Sequence, residues 1–245
     1  MGITETIVLF FQKGGVFMYP ILLVFVVGMV IAFERWIQLN RARDANRKMW
    51  ELLYPVLAKG EFDQARMVIS NDKSTISQML RMGLASIGVV RRREDVEIVM
   101  EECLMEIIPQ LEKRTSYLAL LSNIATLFGL LGTIMGLIEA FTAVSNANPA
   151  EKGALLAVSI SVAMNCTAFG LIAAIPLLLF HAKLTSLTRQ IVDSLEMALV
   201  KALNGISDFN RRHFETELEF LDENQQVSNP ELLLERVPKI ASEIS

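Results

Sequence analysis

Apolar and polar positions along this chain of 245 residues are gathered into long blocks instead of alternating. Residues 16–33, 115–138 and 154–180 contain no charged side chain. Each approaches or exceeds the roughly 20 apolar residues that an α-helix needs to cross about 30 Å of hydrocarbon. The first is the shortest and carries Tyr19-Pro20 near its start. Between the first two blocks the chain reads as helical, with breaks at Pro55, Lys59-Gly60, Asn71-Asp72 and Gly88. Residues 72–75 open one helix through Ser77–Leu84, and Arg93-Glu94-Asp95 open another. From Glu94 onward no glycine intervenes until the second block, so one long helix is expected to become the second span, bent at Pro109. After the third block Leu184, Leu187, Ile191, Leu195, Leu199 and Leu203 recur every three or four residues, one apolar stripe on a continuing helix.

The expected fold is therefore all-α and polytopic, with three transmembrane helices of which two extend far into the cytoplasm. The divisions are 1–15 as an N-terminal periplasmic amphipathic segment (Ile3–Gln12 lying on the membrane surface), 16–33 as the first span and 34–114 as a cytoplasmic helical region. They continue with 115–141 as the second span, 142–153 as a short periplasmic loop, 154–180 as the third span, 181–212 as a cytoplasmic helical extension and 213–245 as an acidic tail.

Composition agrees: 52% of residues are hydrophobic and the mean hydropathy is +0.41. The net charge of −4 matters less than where the cations lie. Arg35, Arg41, Arg43, Arg47 and Lys48 follow the first span, Arg91, Arg92, Arg93, Lys113 and Arg114 precede the second, and Lys183 and Arg189 follow the third. By the positive-inside rule the N-terminus is periplasmic and the C-terminus cytoplasmic. The N-terminal residues lack the basic leader and small-residue cleavage site of a signal peptide. Cys103 and Cys166 make no disulfide or metal framework. With two histidines, His181 and His213, and no glycine-rich phosphate loop, the sequence holds no constellation for nucleophilic, nucleotide or metal chemistry. Neither an enzyme nor a nucleic-acid binder is expected, and no cofactor.

The informative residues are the polar ones inside the spans. At about 100° per residue, Ser122, Thr126, Gly129, Gly136 and Ala140 fall within roughly 60° of Thr133, giving one helix face of hydroxyls and small side chains. Gly132 and Gly136 form a GxxxG pair suited to close helix packing. The third span repeats the arrangement, with Ala163, Thr167, Gly170 and Ala174 near one face and Ser161 with Asn165 roughly opposite. Asn165 offers donors and acceptors that lipid cannot satisfy, so it should face another helix, another subunit or water, as a subunit-interface or ion-ligand candidate. Cys166 reads as a small apolar filler. Neither span carries a carboxylate at its centre, and hydroxyls alone do not titrate usefully. If these faces line an ion route, the carboxylate must come from another chain.

GLLGTIMGLIEAF (129–141) and NCTAFGLIAAIP (165–176) resemble the paired signatures of the MotA/TolQ/ExbB channel family, in its ExbB/TolQ branch. The resemblance extends over the three-span layout from about residue 10 to 212. It implies a homopentamer in the bacterial inner membrane, surrounding a dimer of an ExbD- or TolR-like single-span protein whose membrane aspartate accepts the ion. It further implies that Thr133 and Thr167 face that aspartate, and the shared helix face adds Ser122 and Thr126 to the same expected route. The transported ion is then H+ or Na+. A TonB- or TolA-like transducer would carry the work, through rotation of the partner dimer, to an outer-membrane process.

Many such relatives carry a glutamate five residues before the second threonine, where this chain has Val162. That departure leaves room for sodium beside the favoured proton. A flagellar-type stator, which has four spans, and a non-conducting membrane scaffold are the alternatives.

Overall fold

The computed structural model describes residues 15–86 and 93–228. Among them all six elements are α-helices: α1 Met18–Lys59, α2 Phe62–Ser70, α3 Thr75–Ser86, α4 Arg93–Glu112, α5 Thr115–Asn146 and α6 Lys152–Ser228. The expected surface helix at Ile3–Gln12 and the expected break at Gly88 lie outside the described residues. The chain divides into two compact units, one of the described residues up to Ala45 with Met105–Ser194, the other of Asn46–Leu104 with the chain from Leu195 on.

Prolines interrupt these helices less than expected. Pro20 sits in the first turn of α1, where its missing N–H would have no acceptor anyway. Pro55 and Pro109 lie inside α1 and α4, and both helices continue past them. The expected break at Lys59-Gly60 is present, and there the backbone turns left-handed. At Gly60 (φ +80°) the Gly60 N–H donates to the Leu57 carbonyl at 3.1 Å and the Glu61 N–H to Val56 at 3.2 Å, a pair of bonds that closes a helix C-terminus. Arg114, with φ 66°, ends the run from α4 to α5, so the single long helix bent at Pro109 is two helices joined five residues later. The asparagine-aspartate break is present between α2 and α3. The acidic C-terminal segment is helical as far as Ser228 instead of leaving the helix near Arg212.

In the second unit, buried Asn46 of α1 holds the start of α3. Its amide donates to Thr75 Oγ1 at 2.6 Å, and its oxygen accepts from the Ile76 N–H at 3.2 Å. Arg66 donates to the Leu84 carbonyl (2.6 Å) and Arg81 to the carbonyls of Ile69 and Asp72 (2.9 Å each), satisfying acceptors at the ends of α3 and α2. Asp72 accepts from the Ser74 N–H (3.0 Å), the Ser74 hydroxyl and the Ser77 hydroxyl (2.7 Å). Burial pushes its carboxyl up, but the Ser74 and Ser77 side-chain bonds and the Ser74 and Lys73 N–H groups together hold it below the ordinary carboxylate value. A depressed folded pKa adds stability that is full above the unfolded pKa of about 3.9 and is lost as pH falls through the folded one. Asp72→Ala is expected to lower stability at pH 7 by about 1 kcal/mol. In thermal unfolding of the detergent-solubilised protein, the gap from the parent should close in acid.

In the first unit a core of Ile21, Val24, Ala125, Cys166, Ala173 and Ala174 is flanked by Phe17, Phe25, Leu121, Ile124, Phe128 and Phe169. The other faces of the same helices are apolar and open, with Leu23, Val30, Leu127, Ile134, Ile138, Ile172 and Leu179 all exposed. In water this would be an aggregation surface, whereas in a bilayer it is the solvent-matched face. Three helical stretches, within Met18–Lys59, Arg93–Ser145 and Lys152–Asp208, are long and apolar enough to span. This is a membrane protein built on three such helices. The leucine stripe of α6 is buried throughout, Leu184, Leu187 and Ile191 in the first unit and Leu195, Leu199 and Leu203 in the second.

Candidate functional site

α5 and α6 run antiparallel, and glycine sets how closely they approach. A Cβ on Gly129 would lie 3.2 Å from the Gly170 Cα and 3.3 Å from the Thr167 Cα, while one on Gly170 would lie 2.9 Å from the Ala125 carbonyl oxygen. A Cβ on Gly132 would run into the Cys166 side chain, and one on Gly136 would sit 2.9 Å from the Ala163 Cβ. Gly129, Gly132, Gly136, Ala163, Gly170 and Ala174 are all buried, and the four glycines with Ala163 meet across this contact.

Three side chains cross the same interface to bond backbone. Thr167 Oγ1 donates to the Gly129 carbonyl at 2.9 Å, Ser122 Oγ donates to the Ala174 carbonyl at 2.9 Å, and His181 Nδ1 lies 3.1 Å from the Thr115 carbonyl. The rungs step by seven residues on both helices, through 129, 122 and 115 on α5 and 167, 174 and 181 on α6. Seven residues return a helix to nearly the same face, about 20° short. Each interhelical bond in a bilayer contributes about 0.6 kcal/mol, so the ladder fixes register more than it supplies stability.

The hydroxyl face therefore splits. Ser122 is 1% exposed and its proton is committed to α6, which places it in the packing and not on an open route within this chain. Thr126 is exposed, and Thr133 and Thr167 are half-buried at the rim of the helix pair. Thr126 Oγ1 donates back to the Ser122 carbonyl (3.1 Å), and Thr133 Oγ1 to the Leu130 carbonyl (2.6 Å). All three threonines thus direct their single proton at a carbonyl. What the rim offers outward is oxygen lone pairs, suited to a protonated carboxyl, a water or a small cation.

Asn165 is half-buried on another face and finds no hydrogen-bond partner among the described residues. Val162 is half-buried beside Gly15. Glu139 is exposed.

Two basic residues read in the sequence as interfacial charges have a more particular place. Arg35 is only 6% exposed, donates from Nη1 to Gln38 Oε1 (2.9 Å) and from Nη2 to the Leu111 carbonyl, and so caps the end of α4. Burial lowers its pKa from the ordinary guanidinium value, Glu34 raises it and Arg114 lowers it further. Arg114 pairs with Glu34 at 2.8 Å across the same turn. Sequence reasoning also passed over His181, although its position fourteen residues beyond Thr167 marks it as sharing that face.

Residues 71–197 match the profile of the MotA/TolQ/ExbB proton channel family. The chain is 27% identical over 194 residues to the ExbB homolog of Methanothermobacter thermautotrophicus, covering 78% of this chain and 67% of that protein. It is 28% identical over 192 residues to the ExbB-like protein 1 of Synechocystis sp., covering 75% and 72%. Over 78 residues it is 37% identical to the Tol-Pal system protein TolQ of Haemophilus influenzae, covering 32% and 34%.

Proposed function

Because the chain belongs to the MotA/TolQ/ExbB proton channel family, we propose that it is the ring-forming subunit of an ExbB–ExbD- or TolQ–TolR-like complex of the bacterial inner membrane. Five copies surround a dimer of a single-span partner, and proton entry drives that dimer round to energise a TonB- or Tol-dependent process. The observation that carries this reading is the rim of Thr126, Thr133 and Thr167, three exposed or half-buried threonines within the apolar stretches whose hydroxyl protons are committed to carbonyls, with no carboxylate in residues 115–138 or 154–180. Such a rim binds the protonated form of a carboxyl and cannot itself carry the charge. The carboxylate comes from the partner. One charge crossing 100 mV releases about 2.3 kcal/mol, so work is done in repeated small steps.

A sodium-driven version is supported by the Asn165 amide, which has no hydrogen-bond partner among the described residues, and by valine at position 162. Oxygen ligands from Thr133, Thr167 and Asn165 suit that ion. Undiminished activity at fixed potential in sodium-free buffer excludes it.

The test of the assembly is co-expression with an ExbD- or TolR-like single-span protein from the same organism, followed by native mass spectrometry. The expected result is one complex of five copies with two partners bearing a membrane aspartate. Recovery of this chain alone, from cells making both, would favour a scaffold.

A further inference from the structure

The third rung of the ladder differs from the other two in kind. His181 is the only imidazole or carboxylate in residues 115–138 and 154–182. On α6 it lies within about 40° of Thr167, two heptads further on, and like Thr167 it is half-buried, whereas Ala174 between them is buried in the packing. Its half-buried ring is fixed, because the Thr115 oxygen it meets at 3.1 Å is a carbonyl that only accepts, so Nδ1 carries a proton. Nε2, on the other side of the ring, is left to exchange. Beside it Phe180 packs on Phe33 with ring centroids 5.8 Å apart, setting α1 against this part of α6.

We infer that His181 is the proton-exchanging residue at the inner end of the route, taking up at Nε2 the proton released from the partner carboxyl and returning it to cytoplasmic water. The inference rests on the proton-channel reading above. In the uptake step the Nε2 lone pair binds a proton delivered by water, giving an imidazolium. In the release step that same N–H bond breaks and the proton passes to a second water, restoring the neutral ring. The Nδ1–H stays on the Thr115 carbonyl throughout, so the rung survives both protonation states. Imidazole suits the task because one ring nitrogen can keep its proton on a carbonyl while the other offers a lone pair. The charged groups on the segments around it are Glu34 and Arg35 of α1, Lys113 and Arg114 of the turn, and Lys183 of its own helix. Of these, Glu34 and Arg114 are already paired at 2.8 Å, and Arg35 is held by Gln38 and the Leu111 carbonyl.

The experiment measures proton flux at imposed potential in vesicles containing this chain with its co-purified partner. His181→Asn keeps an N–H donor for the Thr115 carbonyl but cannot titrate. It should cut flux on the order of tenfold or more, with partner recovery unchanged. His181→Ala should lose flux as well and recover part of it when imidazole is added to the buffer. Parent-like flux in His181→Asn, or loss in His181→Ala that imidazole does not restore, would overturn the assignment. Thr133→Val in the same vesicles separates the two readings. If it stops flux while His181→Asn does not, only the role of His181 falls. If the parent complex moves no protons, the channel reading falls and takes this inference with it.

Discussion

Gly170→Leu is expected to abolish recovery of folded protein. The first atom of the new side chain would lie 2.9 Å from the Ala125 carbonyl oxygen and 3.0 Å from the Gly129 Cα, and both are backbone. Neither can rotate aside, so α5 and α6 must separate, breaking the ladder and opening the core around Ala125, Cys166 and Ala174. Overpacking a core commonly costs about 1–3 kcal/mol where side chains can give way. Here only helix displacement relieves it, and the cost rises toward the whole of a marginal stability of about 5–15 kcal/mol. Size-exclusion profiles in detergent should show aggregate in place of a single peak. Gly170→Ala should give reduced yield and a lower melting temperature. Gly153→Ala is the control, since a Cβ there meets nothing within 4 Å and the variant should match the parent.

Much of the first-order fold is legible in the sequence because hydrophobic periodicity is a direct image of what a helix buries. The leucine stripe from Leu184 to Leu203 predicts a buried face, and all six positions are buried. Asp72 and the Arg93 triplet predict helix starts, and α3 and α4 begin there. The breaks were harder to read. Proline removes one donor and bends a helix but need not end it, so Pro55 and Pro109 pass inside α1 and α4. The real end of the α4 run comes at Arg114, whose left-handed backbone no glycine marks, and the Leu111 carbonyl there is capped by Arg35, distant in sequence, a contact no local pattern announces. The site was half legible. Helical phase places Ser122 and Thr133 on one face, but whether a hydroxyl on that face opens outward or is enclosed depends on how the neighbouring helix leans. That lean encloses Ser122 and leaves Thr133 at the rim.

Removing the rim hydroxyls is expected to have the largest functional effect. Thr133→Val and Thr167→Val keep the β-branched shape, so helix packing is preserved, and the second loses only one interhelical bond of about 0.6 kcal/mol. What both lose is an acceptor for the proton on the partner carboxyl. A buried group left without its hydrogen-bond partner costs about 1–3 kcal/mol, which corresponds to a slowing of about fivefold to 150-fold. The double variant should be inactive, and all three should still assemble with the partner, because the glycine contacts that set the helix pair are untouched.

Proton flux into vesicles holding this chain and its single-span partner, at fixed potential in sodium-free buffer, is the most direct test that the threonine rim is the ion-bearing surface. Fast flux in the parent, at least about fivefold less in each valine variant and none without the partner are predicted. Parent-level flux in both Thr133→Val and Thr167→Val, with the partner present, would contradict it.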